Sequence, residues 1–204
     1  MSFRRSYLAW VAVALLAAPA GFWLARELHN AAPQLTSGTW FPQPRPVGEL
    51  ALTGDDGKPF TRGTLEGAPT LVFFGFTHCP DVCPTTLAKL AQITKVAAVP
   101  DLRVLLISVD PDRDTAETLH QYVRAFDPRF VGATGTPQSI TQVTKEFGVA
   151  VERVSLPGGD YTMDHSATVF LLNDRAQIVA VFTPPFDLDK FAADLRAAAP
   201  WLAS

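Results

Sequence analysis

The sequence predicts a mixed α/β domain, a buried sheet covered by helices, carried behind one apolar N-terminal segment. Three observations lead there. Short, unbroken apolar runs at 70–76 and 102–109 have the length and continuity of strands buried on both faces. Each is followed by a stretch of helical periodicity, 84–97 and 114–126. The chain then closes on two apolar runs, 167–172 and 177–182, and one more helical segment.

The 204 residues suit one domain of ordinary size plus an appendage. Apolar residues make up 48% and charged ones 18%, enough apolar surface for a real core. A net charge of -3, with no basic block to neutralise phosphates, excludes a nucleic-acid binder. There is no internal repeat.

Taken in order, residues 1–6 read as a short cytoplasmic N-terminus and 7–25 as a transmembrane anchor. Arg4 and Arg5 precede the run from Tyr7 to Ala25, which at 1.5 Å per residue spans roughly 28 Å, close to the hydrocarbon thickness of a bilayer. Positive charge on the N-terminal side predicts a single-pass protein of the cytoplasmic (inner) membrane, with its C-terminal domain on the extracytoplasmic, periplasmic side. A cleaved signal peptide competes, because Ala18-Pro19-Ala20 resembles a cleavage site. The apolar stretch continues past it through Gly21-Phe22-Trp23-Leu24, which favours the uncleaved anchor. Both readings export the domain, and with no cysteine after the segment an acylated form is not expected.

Residues 26–47, with Pro33, Pro42, Pro44 and Pro46, read as a Pro-rich linker, unless Trp40 and Phe41 pack on the domain and move its start to about 38. The domain proper is placed at 48–204. Leu50 to Phe60, broken by Gly54-Asp55-Asp56-Gly57, predicts an N-terminal hairpin. Thr70 to Phe76 is the first buried strand, Pro84 to Ala97 a helix and Leu102 to Val109 the second strand. Asp114 with Glu117 predicts a capped helix start. Pro137 to Phe147 is a helix stopped by Gly148. Ala167 to Leu172 and Gln177 to Phe182 form an antiparallel hairpin, and Asp187 to Ala199 the last helix. That order is the order of a thioredoxin-like domain.

The chemistry gathers at Thr77-His78-Cys79-Pro80-Asp81-Val82-Cys83-Pro84, where a buried strand turns into a helix. The helix N-terminus favours thiolates, and residues four apart bring both sulfurs to one face. The bland reading is a structural disulfide, but so short a loop would stabilise little. A redox disulfide is stronger, although redox motifs usually carry two intervening residues and this one has three. His165 lies just before the strand Ala167–Leu172. In a thioredoxin-like fold that junction faces the cysteine-bearing helix start. Two thiolates and an imidazole form a soft set that suits Cu(I), and Cu(II) with an added weak ligand. Structural zinc wants a fourth ligand, which is not evident. Asp164 is expected to orient His165 rather than to bind the ion.

Three motifs, Phe74-Gly75-Phe76-Thr77-His78-Cys79-Pro80-Asp81-Val82-Cys83-Pro84, Val109-Asp110-Pro111-Asp112-Arg113-Asp114-Thr115 and Asp164-His165-Ser166, closely resemble the Sco/SenC family. Those proteins assist cytochrome c oxidase assembly. The resemblance covers roughly residues 48–182. It implies that Cys79, Cys83 and His165 are copper ligands and that the partner is the binuclear copper site of oxidase subunit II. It also implies that the cysteine pair can oxidise to a disulfide. Other copper carriers or thiol reductants are further partners on this reading.

Other residues have simpler explanations. His78 is expected to point away from Cys79, and Asp81 to be a solvated turn residue. Asp110, Asp112 and Asp114 lack the spacing of a calcium loop, with Asp114 read as a helix cap. His29 and His120 carry no signal. Three function classes remain: a copper metallochaperone, a thiol-disulfide oxidoreductase acting on the oxidase cysteines, and a thiol peroxidase. No arginine suited to peroxidase chemistry falls beside Cys79, and only the chaperone needs His165.

Overall fold

The architecture follows from β4, Thr70–Gly75, whose six residues are all buried. A computed structural model describes residues 32–203. The expected anchor over 7–25, the short N-terminus before it and His29 lie outside the described residues. Among the described residues, no helix is long and apolar enough to cross a membrane. Residues from Gln34 onward form one unit.

β4 pairs in parallel with β5 (Arg103–Ser108) and antiparallel with β9 (Val169–Leu172). Its alternating side chains reach both faces of the sheet. Phe74 meets Phe147 and Phe170 edge-on at 5.3 and 6.1 Å. Phe73 and Gly75 face the opposite way, toward the cysteine-bearing helix. The eight-stranded sheet runs β1 (Gly38–Pro46), β10 (Gln177–Phe182), β9, β4, β5, β6 (Val131–Thr134), β2 (Leu52–Gly54), β3 (Pro59–Phe60), with β10 antiparallel to β9. β6, Val131–Thr134, extends the parallel part and was not anticipated. The N-terminal hairpin is present as β2 (Leu52–Gly54) and β3 (Pro59–Phe60), closed by Gly57 at a φ of 76°.

A short helix, α1 (Arg62–Leu65), precedes β4; the Arg103 guanidinium ties down its carbonyls Thr64 O and Leu65 O. α2 spans Val82–Ala97, starting two residues ahead of the expected Pro84 because that proline fits within the first turn. α2 packs against α5, Leu188–Ala198, capped by Asp187. α4, Pro137–Phe147, is bounded as expected, with Thr136 capping its start and Gly148 left-handed at its end. α3 is Ala116–Arg124, and here the expected cap is corrected: Thr115, not Asp114, accepts the Thr118 N–H. Asp114 is 1% exposed and turned inward, already committed to other donors.

The linker reading also fails over Gly38–Pro46, which form β1, antiparallel to β10. The prolines misled because an edge strand tolerates them: its outward side needs no N–H. Pro42 and Pro44 fall where the register shifts between Trp40 and Arg45. Trp40 and Phe41 pack on the core. The start of this strand is gripped by Asp194 of α5, which accepts from the N–H groups of Thr36, Ser37 and Gly38 at 2.8, 2.7 and 3.0 Å. A second, unanticipated pair of strands, β7 (Val151–Ser155) and β8 (Tyr161–His165), stands apart as its own antiparallel sheet.

Candidate metal centre

β4 ends at Gly75, and the chain turns through Thr77 and Cys79 into α2. Gly75 makes room for sulfur: a Cβ there would stand 3.1 Å from Cys83 Sγ. Cys83 is fully buried in the first turn of α2, whereas Cys79 is half-buried on the turn. The Cys83 N–H donates to Cys79 Sγ at 3.3 Å, so a helix-start donor faces that sulfur. Both cysteines are free thiols.

His165 ends β8 and reaches the same place. Its ring meets Phe73 and Phe76 edge-on at 6.1 and 6.0 Å, and Nε2 lies 3.5 Å from Cys83 Sγ. Nδ1 lies 3.2 Å from the Ser166 carbonyl, which can only accept, so Nδ1 carries the proton and Nε2 presents its lone pair to the sulfur. Asp164, expected to orient the ring, is exposed and does not; the backbone of the next residue does. Burial pushes the His165 pKa below its usual value, against the Ser166 carbonyl and Asp164. Burial, with the neighbouring Cys79, pushes the Cys83 thiol up. A neutral imidazole thus faces a protonated thiol, and a metal cation binding there has to displace that proton.

The structure therefore brings Cys83 and His165 into contact with Cys79 beside them. Among the described residues, no group of three or more His, Cys, Asp or Glu side chains is pre-arranged to hold a metal ion. Cys79 stands on the half-buried turn beside them, its sulfur accepting the Cys83 N–H. The donors fit a soft cation of low coordination number. A hollow of about 330 Å³, lined by Ala150, Glu152, Asp164 and His165, opens onto the imidazole.

The turn is held from beneath by Asp114, which accepts from the Thr77 N–H at 3.0 Å, the Thr77 hydroxyl at 2.6 Å and the Ser108 hydroxyl at 2.6 Å. His78 turns to the Thr77 hydroxyl oxygen, 3.0 Å from Nδ1, leaving the sulfurs to Cys79 and Cys83. Asp81 is exposed, its carboxylate accepting the Thr85 hydroxyl at 3.3 Å. His120 lies on α3, 3.4 Å from Asp55. Asp114→Asn introduces an amide where three donors converge, so one of them loses its acceptor. The expected cost is about 1–2 kcal/mol in chemical denaturation, with faster alkylation of Cys79 as the turn loosens. An unchanged midpoint would show that Asp114 does not support the turn.

Sequence reasoning missed Phe73, Phe76 and the Ser166 carbonyl, which place the imidazole, and Tyr161 and Arg113, which fasten its strand. The hairpin was signalled by Pro157-Gly158-Gly159-Asp160 between two short runs. The side-chain contacts had no local signal.

The SCO1/SenC family model matches residues 42–200. A relative from Arabidopsis thaliana, Protein SCO1 homolog 1, mitochondrial, is 38% identical over 146 residues, 70% of this chain. The match covers 43% of that relative, so the chain spans less than half of its length. The crystal structure of Arabidopsis thaliana ScoI with copper bound superposes with a TM-score of 0.72 at 34% identity, covering 76% of this chain and 97% of that one. Bradyrhizobium japonicum ScoI with copper bound gives a TM-score of 0.67 at 38% identity, covering 74% and 98%.

Proposed function

The chain belongs to the SCO1/SenC family, and from that premise we propose that it is a copper metallochaperone, binding copper through Cys79, Cys83 and His165 and assisting assembly of the binuclear copper site of cytochrome c oxidase subunit II. The observation that carries the reading is the unprotonated Nε2 of His165 aimed at Cys83 Sγ from 3.5 Å. Two thiolates and an imidazole match Cu(I) in trigonal coordination, with Cu(II) held when a weak fourth ligand joins. Copper here is cargo. The half-buried Cys79 is the sulfur a partner reaches first, and transfer proceeds by exchange of one soft ligand at a time. Asp114 and the Ser166 carbonyl keep the turn and the imidazole in place meanwhile. The apolar run Tyr7–Ala25 supports tethering in the cytoplasmic membrane with the domain on the periplasmic side.

Titrating the reduced full chain with Cu(I) tests this. One equivalent should bind, and X-ray absorption should count two sulfur ligands and at least one nitrogen. No sulfur scatterer, or equal copper retention by the Cys79→Ser, Cys83→Ser double variant, would overturn the assignment.

One observation favours a second reading, a thiol-disulfide oxidoreductase acting on the oxidase cysteines. An accessible Cys79 beside a buried Cys83 is the arrangement of an attacking and a resolving thiol. Cys79 thiolate would attack a partner disulfide, and Cys83 would release the partner as a dithiol, two electrons passing outward. That reaction has no use for His165.

A further inference from the structure

The hairpin that brings His165 to the sulfurs is not part of the main sheet. β7 and β8 pair only with each other. Among the described residues, the loop hydrogen bonds at its ends are internal as well, Leu156 N–H to Asp160 O and Ser166 N–H to Ala150 O. A two-stranded ribbon is marginal in water, so something else must set its position.

Val151 and Met163 rest against the core, and one stack of side chains fixes the ribbon through its other residues. The Tyr161 ring lies between two guanidinium groups, Arg153 Cζ 3.5 Å and Arg113 Cζ 3.8 Å from its centroid. Beyond Arg113 stands the Phe76 ring, 5.9 Å away, and edge-on to Phe76 stands the His165 ring at 6.0 Å. The order is Arg153, Tyr161, Arg113, Phe76, His165. Arg113 is steered into this slot by its edges. Its Nε donates to Asp110 Oδ2, and the other Asp110 oxygen accepts the Tyr161 hydroxyl at 2.8 Å. Its Nη1 donates to the Tyr161 carbonyl at 3.1 Å. Nη2 is buried with no hydrogen-bond partner, so the guanidinium is held through Nε, Nη1 and its face on Tyr161. A lysine could keep the charge but could not lie flat between two rings.

The geometry points to Arg113 as the positioning residue for His165: wedged between Tyr161 and Phe76, it fixes how closely the hairpin seats over Cys83, and so whether the imidazole joins the sulfurs. The inference rests on the copper reading above for its consequence, though not for its mechanics. Arg113 also sits one residue before Asp114, which holds the cysteine turn. The loop after β5 therefore references both halves of the site to one frame.

The test uses the full chain carrying Arg113→Lys or, independently, Tyr161→Leu. Without copper, amide hydrogen exchange across Val151–His165 should quicken by roughly tenfold while β4 and β5 keep their protection, as expected for local opening. With Cu(I), affinity should fall by about 10- to 100-fold, the usual effect of removing a group that orients a ligand, and the nitrogen ligand should drop out of the absorption spectrum. In a His165→Ala background neither substitution should weaken copper further. Unchanged exchange in the hairpin, or an equal loss of affinity with and without the imidazole, would overturn the assignment. A wild-type chain that binds no copper would sink the copper reading, and the exchange comparison alone would then decide the stack.

Discussion

His165→Ala is expected to lower Cu(I) affinity by at least about 100-fold while leaving Cys79 and Cys83 able to form and break a bridge; losing a group that merely orients a ligand already costs metal sites about 10- to 100-fold. The imidazole offers copper a lone pair but offers a disulfide no electrons. Its Nε2 is the unprotonated donor next to Cys83, because Nδ1 is committed to the Ser166 carbonyl. The ring also fills space against Phe73 and Phe76, so some loss of stability accompanies the substitution and has to be measured beside it. Competition against a chelator of known affinity reads the first effect, and thiol titration across a redox series reads the second. In cells, the copper reading expects His165→Ala to depress oxidase activity as severely as Cys83→Ser, with rescue by added copper. Full oxidase activity of His165→Ala under copper limitation would transfer the assignment to the oxidoreductase.

Asp194→Ala should be strongly destabilising, although it lies away from the site. Asp194 is 2% exposed, and its two oxygens take five hydrogen bonds: the N–H and hydroxyl of Thr36, the N–H and hydroxyl of Ser37, and the N–H of Gly38. Burial raises the pKa of this carboxyl, but the hydrogen bonds from Thr36 and Ser37 outweigh it and leave it below the usual 3.8. Hydrogen bonds to a charged acceptor are the strong ones, so losing the set is expected to cost about 3 kcal/mol, less than the sum because water reaches some of the freed donors. For a domain of this size that lowers Tm by roughly 10 °C. Since the folded pKa lies below 3.8, the contribution is complete above that value and fades as pH falls through the folded pKa. The gap between wild type and Asp194→Ala should therefore close in strong acid. A gap that persists unchanged through the acid range would mean that the carboxylate charge is not what holds residues 36–38.

How much of this was legible depended on whether a residue's neighbours lay close in sequence. β4 could be read from Thr70–Phe76 because burial on both faces leaves an unbroken apolar run. α4 could be read to the residue, because Pro137 and Gly148 are local punctuation with one meaning each. The approach of His165 to the cysteine-bearing turn was readable because strand-turn-helix order places the cysteines, and fold order places the histidine. The failures share a cause. Pro42 and Pro44 signal a linker by composition, and only the pairing with β10 makes the segment an edge strand. Asp114 sits where a cap would, three residues before Glu117, yet its donors come from Thr77 and Ser108 on other elements. Arg113 was legible only as one letter of a motif, because the Phe76 and Tyr161 rings it meets lie far from it along the chain.

The place of β1 also decides where the molecule tolerates being cut. A fragment begun at residue 48, the boundary that composition suggests, would strip the outer strand from β10 and leave a bare row of backbone donors and acceptors from Gln177 to Phe182. Such a margin invites another chain to pair with it, and the prolines that now guard the border would be gone. A fragment begun before Thr36 keeps both the guard and its fastening to Asp194. The proline-rich stretch thus covers a strand edge that would otherwise be open to pairing with another chain.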